Sequence, residues 1–162
     1  MSKLIATFFY VGLMPKAPGT WGSLAALPFA VIIFALGSFP ALLLATILVF
    51  FIGWWATAQY TTGAENHDPG EVVIDEVVGQ WVTLFPLAAM LWLWDVPLVI
   101  LPWPGLIASL MFFRFFDILK PWPISWADRK ETPFGVMLDD VIAGIMAAAL
   151  TTLLGALAHG YI

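Results

Sequence analysis

Two pairs of adjacent carboxylates, Asp75 with Glu76 and Asp139 with Asp140, interrupt a chain that is 62% hydrophobic. The first pair closes the stretch DPGEVVIDE, Asp68 to Glu76, and the second lies in GVMLDDVIAG; each sits at the mouth of a long apolar run. Ionised carboxylates near or inside hydrocarbon cost several kcal/mol each unless they are paired or bind a metal. Brought together, two such pairs supply the hard oxygen ligands that suit Mg²⁺, a cation that also keeps waters and takes phosphate oxygens. Glu71, Asp75 and Gly79 are spaced to share one helix face, and a glycine there lets a backbone or ligand come close. Asp140, Gly144 and Ala148 form a similar small-residue face. The plainer explanations are an acidic helix start that complements the dipole or an N-terminal cap. One Asp would suffice for a cap, and here there are two.

Basic residues provide a second half for such a site. Arg114, Asp117 and Lys120 are spaced three apart in FRFFDILKPWPISWADRK, which also carries Arg129 and Lys130. Pro121 and Pro123 are expected to end that helix and hold Lys120 at a rigid turn. Lys120 is placed to meet phosphate, and Arg114 to pair with Asp117 or a phosphate. The alternative is a positively charged anchor with Trp122 and Trp126 at the headgroup level. A third element, Pro18-Gly19-Thr20-Trp21-Gly22-Ser23, leads into an apolar run, where free backbone N–H groups and the helix dipole favour an anion. Thr20, Gly22 and Ser23 are the candidates for that contact, although Thr20 or Ser23 could equally be a helix cap.

These residues must be carried by membrane helices. The mean hydropathy is +0.95, and 10% of residues are charged, against about 25% in ordinary soluble domains. Nine Trp and thirteen Phe suit aromatic belts at a bilayer interface. A net charge of −5 and the lack of a basic run argue against nucleic acid. The absence of Cys excludes disulfides and cysteine-nucleophile chemistry. No removable signal peptide is expected at the N-terminus. A span needs about 20 apolar residues, and five candidates emerge: 21–36, 40–60, 77–94, 96–116 with its helix after Pro104, and 136–157. The expected fold is therefore an all-α membrane bundle of about five spans, with four plus a re-entrant segment as the alternative. A single domain over 1–162 is the simplest organisation, since no internal repeat is visible. The positions of Lys3, Lys16, Arg114, Lys120, Arg129 and Lys130 place the N-terminus in the cytoplasm, the C-terminus outside and every dense polar segment on the cytoplasmic side.

In order, GLMPKAPGTWGSLAALP, DPGEVVIDEVVGQW, FRFFDILKPWPISWADR and GVMLDDVIAG resemble the phosphatidylglycerophosphatase A family of bacterial membrane phosphatases. The resemblance runs from Gly12 to Gly144 and rests on the combination of motifs. It implies a Mg²⁺-dependent hydrolysis of phosphatidylglycerophosphate to phosphatidylglycerol and phosphate. It also implies that Asp75, Glu76, Asp139 and Asp140 are acidic motif positions and Lys120 the basic one. The chain departs from the family's glycine pair before GVMLDD, reading Glu131-Thr132-Pro133-Phe134-Gly135. Histidine-nucleophile lipid phosphatases need paired His and Arg motifs, and the only histidines here, His67 and His159, are expected on opposite sides of the membrane.

The expectation is a lipid phosphatase of the bacterial inner membrane whose substrate enters sideways from the bilayer. Asp75, Glu76, Asp139 and Asp140 would hold Mg²⁺ and orient water for in-line attack. Lys120, aided by Arg114 or Arg129, would stabilise the developing charge. The rival is a cation transporter or channel using the same carboxylates as ion ligands.

Overall fold

In a computed structural model, described over residues 1–63, 69–96 and 102–158, the chain is helical with no strand among the described residues. The elements are α1 (Ser2–Ala6), α2 (Pro18–Tyr60), α3 (Ile74–Leu93), α4 (Trp103–Leu119), α5 (Ile124–Asp128) and α6 (Pro133–Ala158), with a short 3₁₀ turn at Val11–Leu13. His67, Asp68, the segment 97–101 and the C-terminal residues 159–162 lie outside the described residues, and with them the expected outward C-terminus.

Among the described residues three helices are long and apolar enough to cross a membrane: α2, α3 and α6. A straight α2 of 43 residues would measure about 65 Å, twice a bilayer's hydrocarbon thickness. It is not straight. Gly37 (φ −158°, ψ 22°) and Ser38 (φ 57°, ψ −158°) are non-helical and split it into arms 18–36 and 39–60. The arms fold back on each other. Gly22 of the first and Gly53 of the second both pack at the start of α3, against Val73 and Ile74 respectively, while Phe39 near the break meets Phe85 and Trp92 toward the other end. The break falls at the Gly-Ser-Phe-Pro turn expected from sequence.

α3 is the central helix, packing against α2, α4 and α6. Its first arm contact is fixed by Trp81, whose indole N–H donates to Ala26 O at 2.8 Å. The main core joins α2, α3 and the start of α6 through Leu42, Val77, Val78 and Met137; a smaller cluster of Phe113, Ile124, Ala143 and Ala147 ties α4 and α5 to α6. The helix α3 begins at Ile74 rather than at Glu71. Val72 N–H donates to Pro69 O and Val73 N–H to Ala6 O, so those amides are committed to a turn and to the N-terminal segment. Glu71 instead accepts a hydrogen bond from the Tyr60 hydroxyl and does not share a helix face with Asp75.

Candidate active site

Asp75 and Glu76 occupy the first turn of α3, where the helix dipole favours negative charge. Asp140 comes from α6, whose start is capped elsewhere. Thr132 Oγ1 accepts the Gly135 N–H at 3.0 Å, and Pro133 follows as the first helical residue. Asp139 and Asp140 therefore lie two turns inside the helix and are not its cap. One oxygen from each of Asp75, Glu76 and Asp140 falls within 4.8 Å of the others. Asp75 and Asp140 are buried, at 7% and 3% exposed.

Backbone contact between two glycines brings these helices together. A Cβ on Gly144 would lie 2.4 Å from Gly79 O, and one on Gly79 would lie 2.6 Å from Asp140 O. Thr83 Oγ1, donating to Gly79 O at 2.9 Å and lying 3.3 Å from Gly144 O, bridges the same crossing. No larger residue fits at either position without moving Asp140 away from α3.

Arg114 on α4 closes one side. Its Nη1 is 2.6 Å from Asp117 Oδ2 and 3.8 Å from Glu76 Oε1, and Asp117 is also near enough to Asp140 to interact with it. Four carboxylates thus cluster here, and two of them, Glu76 and Asp117, lie beside the guanidinium. So many like charges in a buried place require a counter-charge. Glu76 Oε2 and Asp140 Oδ2 are buried without a hydrogen-bond partner, so each keeps an acceptor for one. An all-oxygen donor set with open lone pairs fits a hard divalent cation.

Asp139 turns the other way, as the residue next to Asp140 on a helix must. Its Oδ2 accepts from Lys120 Nζ at 2.7 Å, and its Oδ1 from the Asp140 N–H at 3.0 Å. Lys120 ends α4 in a left-handed conformation (φ 42°) and also pairs with Asp128 of α5. Burial works to lower the Lys120 ammonium, but the hydrogen bonds and charges of Asp128 and Asp139 outweigh it and hold it above the ordinary lysine value. Of the four carboxylates expected to share a cation, three converge and the fourth holds Lys120.

The expected phosphate residues divide similarly. Gly22 is buried against Val73, where an added Cβ would lie 2.8 Å from the Val73 Cβ; Ser23 is buried, its hydroxyl donating to Gly19 O at 2.9 Å; Thr20 and Arg129 are exposed. The residue of that segment that reaches the carboxylates is Gly19, whose added Cβ would lie 2.1 Å from Glu76 Oε1 and 3.1 Å from Arg114 Nη1. Gly19 and Asp117 are site residues that sequence reasoning left out. The i,i+3 spacing of Arg114 and Asp117 was the available signal for one, and the Pro-Gly helix start for the other. Below Glu76 by one turn, the fully buried Gln80 donates to Ser109 Oγ at 3.3 Å.

Comparison with known proteins identifies the family. The family model described as Phosphatidylglycerophosphatase A matches residues 4–155. A Haemophilus influenzae protein named Phosphatidylglycerophosphatase A is 40% identical over 145 residues, covering 89% of this chain and 82% of that one. An Escherichia coli protein of the same name is 36% identical over 153 residues, covering 94% and 82%. A Bacteroides thetaiotaomicron protein named Putative phosphatidylinositol-3-phosphatase is 37% identical over 152 residues, covering 91% and 89%. No solved structure matches the chain significantly.

Proposed function

Because the chain belongs to the phosphatidylglycerophosphatase A family of phosphatases, we propose that it hydrolyses phosphatidylglycerophosphate to phosphatidylglycerol and phosphate with Mg²⁺. The observation that carries this reading is the convergence of Asp75, Glu76 and Asp140 beside Arg114 and Gly19 at one end of an apolar bundle. Family membership leaves the transporter alternative without support.

Asp75, Glu76 and Asp140 would hold Mg²⁺, which when bound neutralises the phosphate and lowers the pKa of a coordinated water. Arg114 keeps its Nε buried and without an acceptor, so it donates to a phosphate oxygen while Asp117 fixes its orientation. Gly19 lets the start of α2 come up against the Glu76 carboxylate and the Arg114 guanidinium, where any side chain would displace them. Lys120 acts through Asp139: shared between two carboxylates, it anchors α5 and the entry to α6. Arg129, exposed, draws anionic headgroups to the surface.

In this reading the two arms of α2 with α3, α4 and α6 make five crossings of the bacterial inner membrane, within one phosphatase domain. The site opens on the cytoplasmic face, where Lys and Arg concentrate. Substrate reaches it laterally from the bilayer. The test is phosphate release by the purified protein from phosphatidylglycerophosphate in detergent, with and without Mg²⁺, against phosphatidylinositol 3-phosphate as comparator. Mg²⁺-dependent release from phosphatidylglycerophosphate is expected; preference for the inositol lipid, or turnover untouched by chelation, would overturn substrate or metal respectively.

A further inference from the structure

The N-terminal segment ahead of α2 folds back against both arms of that helix. Phe8 and Phe9 reach Phe29 of the first arm, with ring centroids 5.1 and 6.3 Å away, the second pair stacked. Leu4, Ile5 and Phe8 line a small apolar cavity with Val49 and Ile52 of the second arm. Phe29 lies beyond Gly22 and Val49 ahead of Gly53, about 10 Å and about 6 Å deeper along the arms than the two glycines that pack at the start of α3. The turn Phe8-Phe9-Tyr10 therefore dips below the level at which Asp75 and Glu76 begin α3.

Its backbone suits that depth. From Thr7 to Met14 every amide N–H has an acceptor within the segment: Tyr10 N–H donates to Thr7 Oγ1 at 3.2 Å, and the other seven donate to backbone carbonyls. Irregular backbone at hydrocarbon depth must find its partners in the protein, whereas a loop in water can leave its amides to solvent. The closure is strained. Phe8, Phe9 and Tyr10 are all left-handed, at φ 42°, 56° and 68°, a conformation unfavourable for aromatic residues. Yet the tip leaves its rings uncovered, Phe9 61% and Tyr10 54% exposed.

We propose that residues 2–14 form a re-entrant loop whose aromatic tip, Phe9 and Tyr10, inserts among the acyl chains of the cytoplasmic leaflet. The partner is the lipid itself. Phe9 continues the exposed surface of Phe29, and Lys3 and Lys16, both exposed, flank the loop where anionic headgroups would meet them. The same loop holds the approach to the carboxylates, since Val73 N–H donates to Ala6 O at 2.9 Å and Gly12 packs on Glu71 O. The proposal rests on the five-crossing reading above, in which both arms of α2 span the bilayer.

The chain has no cysteine, so a nitroxide on one introduced thiol reports one position. Phe9→Cys, Lys16→Cys and Phe29→Cys are labelled in nanodiscs of phosphatidylglycerol and phosphatidylcholine. Collisions with dissolved oxygen, which concentrates in hydrocarbon, are compared with collisions with a water-soluble nickel chelate. Lys16→Cys should favour nickel, and Phe9→Cys should match Phe29→Cys in favouring oxygen. Should Phe9→Cys melt below the wild type, Tyr10→Cys is read by the same criteria. A tip that favours nickel while Phe29→Cys favours oxygen overturns the proposal. Few collisions with either reagent at the tip would mean that protein covers it, as in a second copy of the chain, and would overturn it as well. If Phe29→Cys itself favours nickel, the five-crossing reading falls and takes the loop's depth with it.

Discussion

Gly19 lies under the carboxylate of Glu76 so closely that a Cβ there would come within 2.1 Å of Oε1. The start of α2 and the first turn of α3 thus meet with no side chain between them, beside the guanidinium of Arg114. Gly19→Ala must displace either the carboxylate or the helix end. A misplacement of about 1 Å can cost roughly a hundredfold in rate, and a loss of that order is expected in phosphate release. Gly155→Ala is the control. A Cβ at Gly155 meets nothing within 4 Å, so activity should be unchanged and stability equal or up to about 1 kcal/mol higher. Comparable losses in both variants would show that the Gly19 contact has no special part.

Asp140→Asn should separate stability from activity. It removes one charge from a buried group of like charges, so without metal the variant should melt no lower than the wild type. Activity should fall by more than the roughly 10- to 100-fold typical of an outer-shell metal partner. Mg²⁺ at about 100 times its Kd should stabilise the wild type by about 2.7 kcal/mol and the variant far less. Equal metal-induced shifts in melting temperature would remove Asp140 from the cation site.

Lys120→Met removes the ammonium shared by Asp139, which is 4% exposed, and Asp128. With Lys120 itself 29% exposed, losing this charged partner is expected to cost about 1–3 kcal/mol, and thermal unfolding in detergent measures it. Because the Lys120 ammonium is held above its ordinary value, its stabilisation is complete below the unfolded lysine pKa of about 10.4 and is lost only as pH rises through the higher folded value. The stability gap between wild type and variant should therefore stay constant from about pH 6 to about pH 9. A gap that closes within that range would contradict the pairing.

Arg114→Lys keeps the charge and loses the planar fork that serves Asp117, Glu76 and an incoming phosphate together. A fall of roughly tenfold in kcat/KM is expected, about the worth of one charge-assisted hydrogen bond. Wild-type kinetics in this variant would mean that Arg114 acts only as a point charge.

Much of the scaffold was legible in the residues. Gly37-Ser38 marked the break in α2, and the apolar runs located α3 and α6 to within a few residues. The two glycines four residues beyond Asp75 and Asp140 signalled close backbone approach, and Gly79 and Gly144 do touch. Three features were not legible. Whether Asp139 or Asp140 faces α3 depends on the rotation of α6, which adjacent letters do not encode. Asp117 looked like a local partner for Arg114 until α4 packed beside α6. The helical start at Glu71 failed because Val72 and Val73 give their amides to Pro69 and to Ala6, the latter 67 positions away, a contact that periodicity cannot register.

The fold-back of α2 has a consequence for how the chain is made. From Ala17 to Ala64 there is no charged residue, and the break at Gly37–Ser38 turns most of this stretch into two antiparallel arms whose ends return to the same end of α3. Such a hairpin can slip into a bilayer as one piece, with nothing ionised to drag across, where each charged side chain at the centre would add about 2.5–3.5 kcal/mol to insertion. On the five-crossing reading, the arm that carries Gly19 can be in place before any carboxylate or guanidinium of the site has been synthesised. The charged helices would then pack against a wall that is already there.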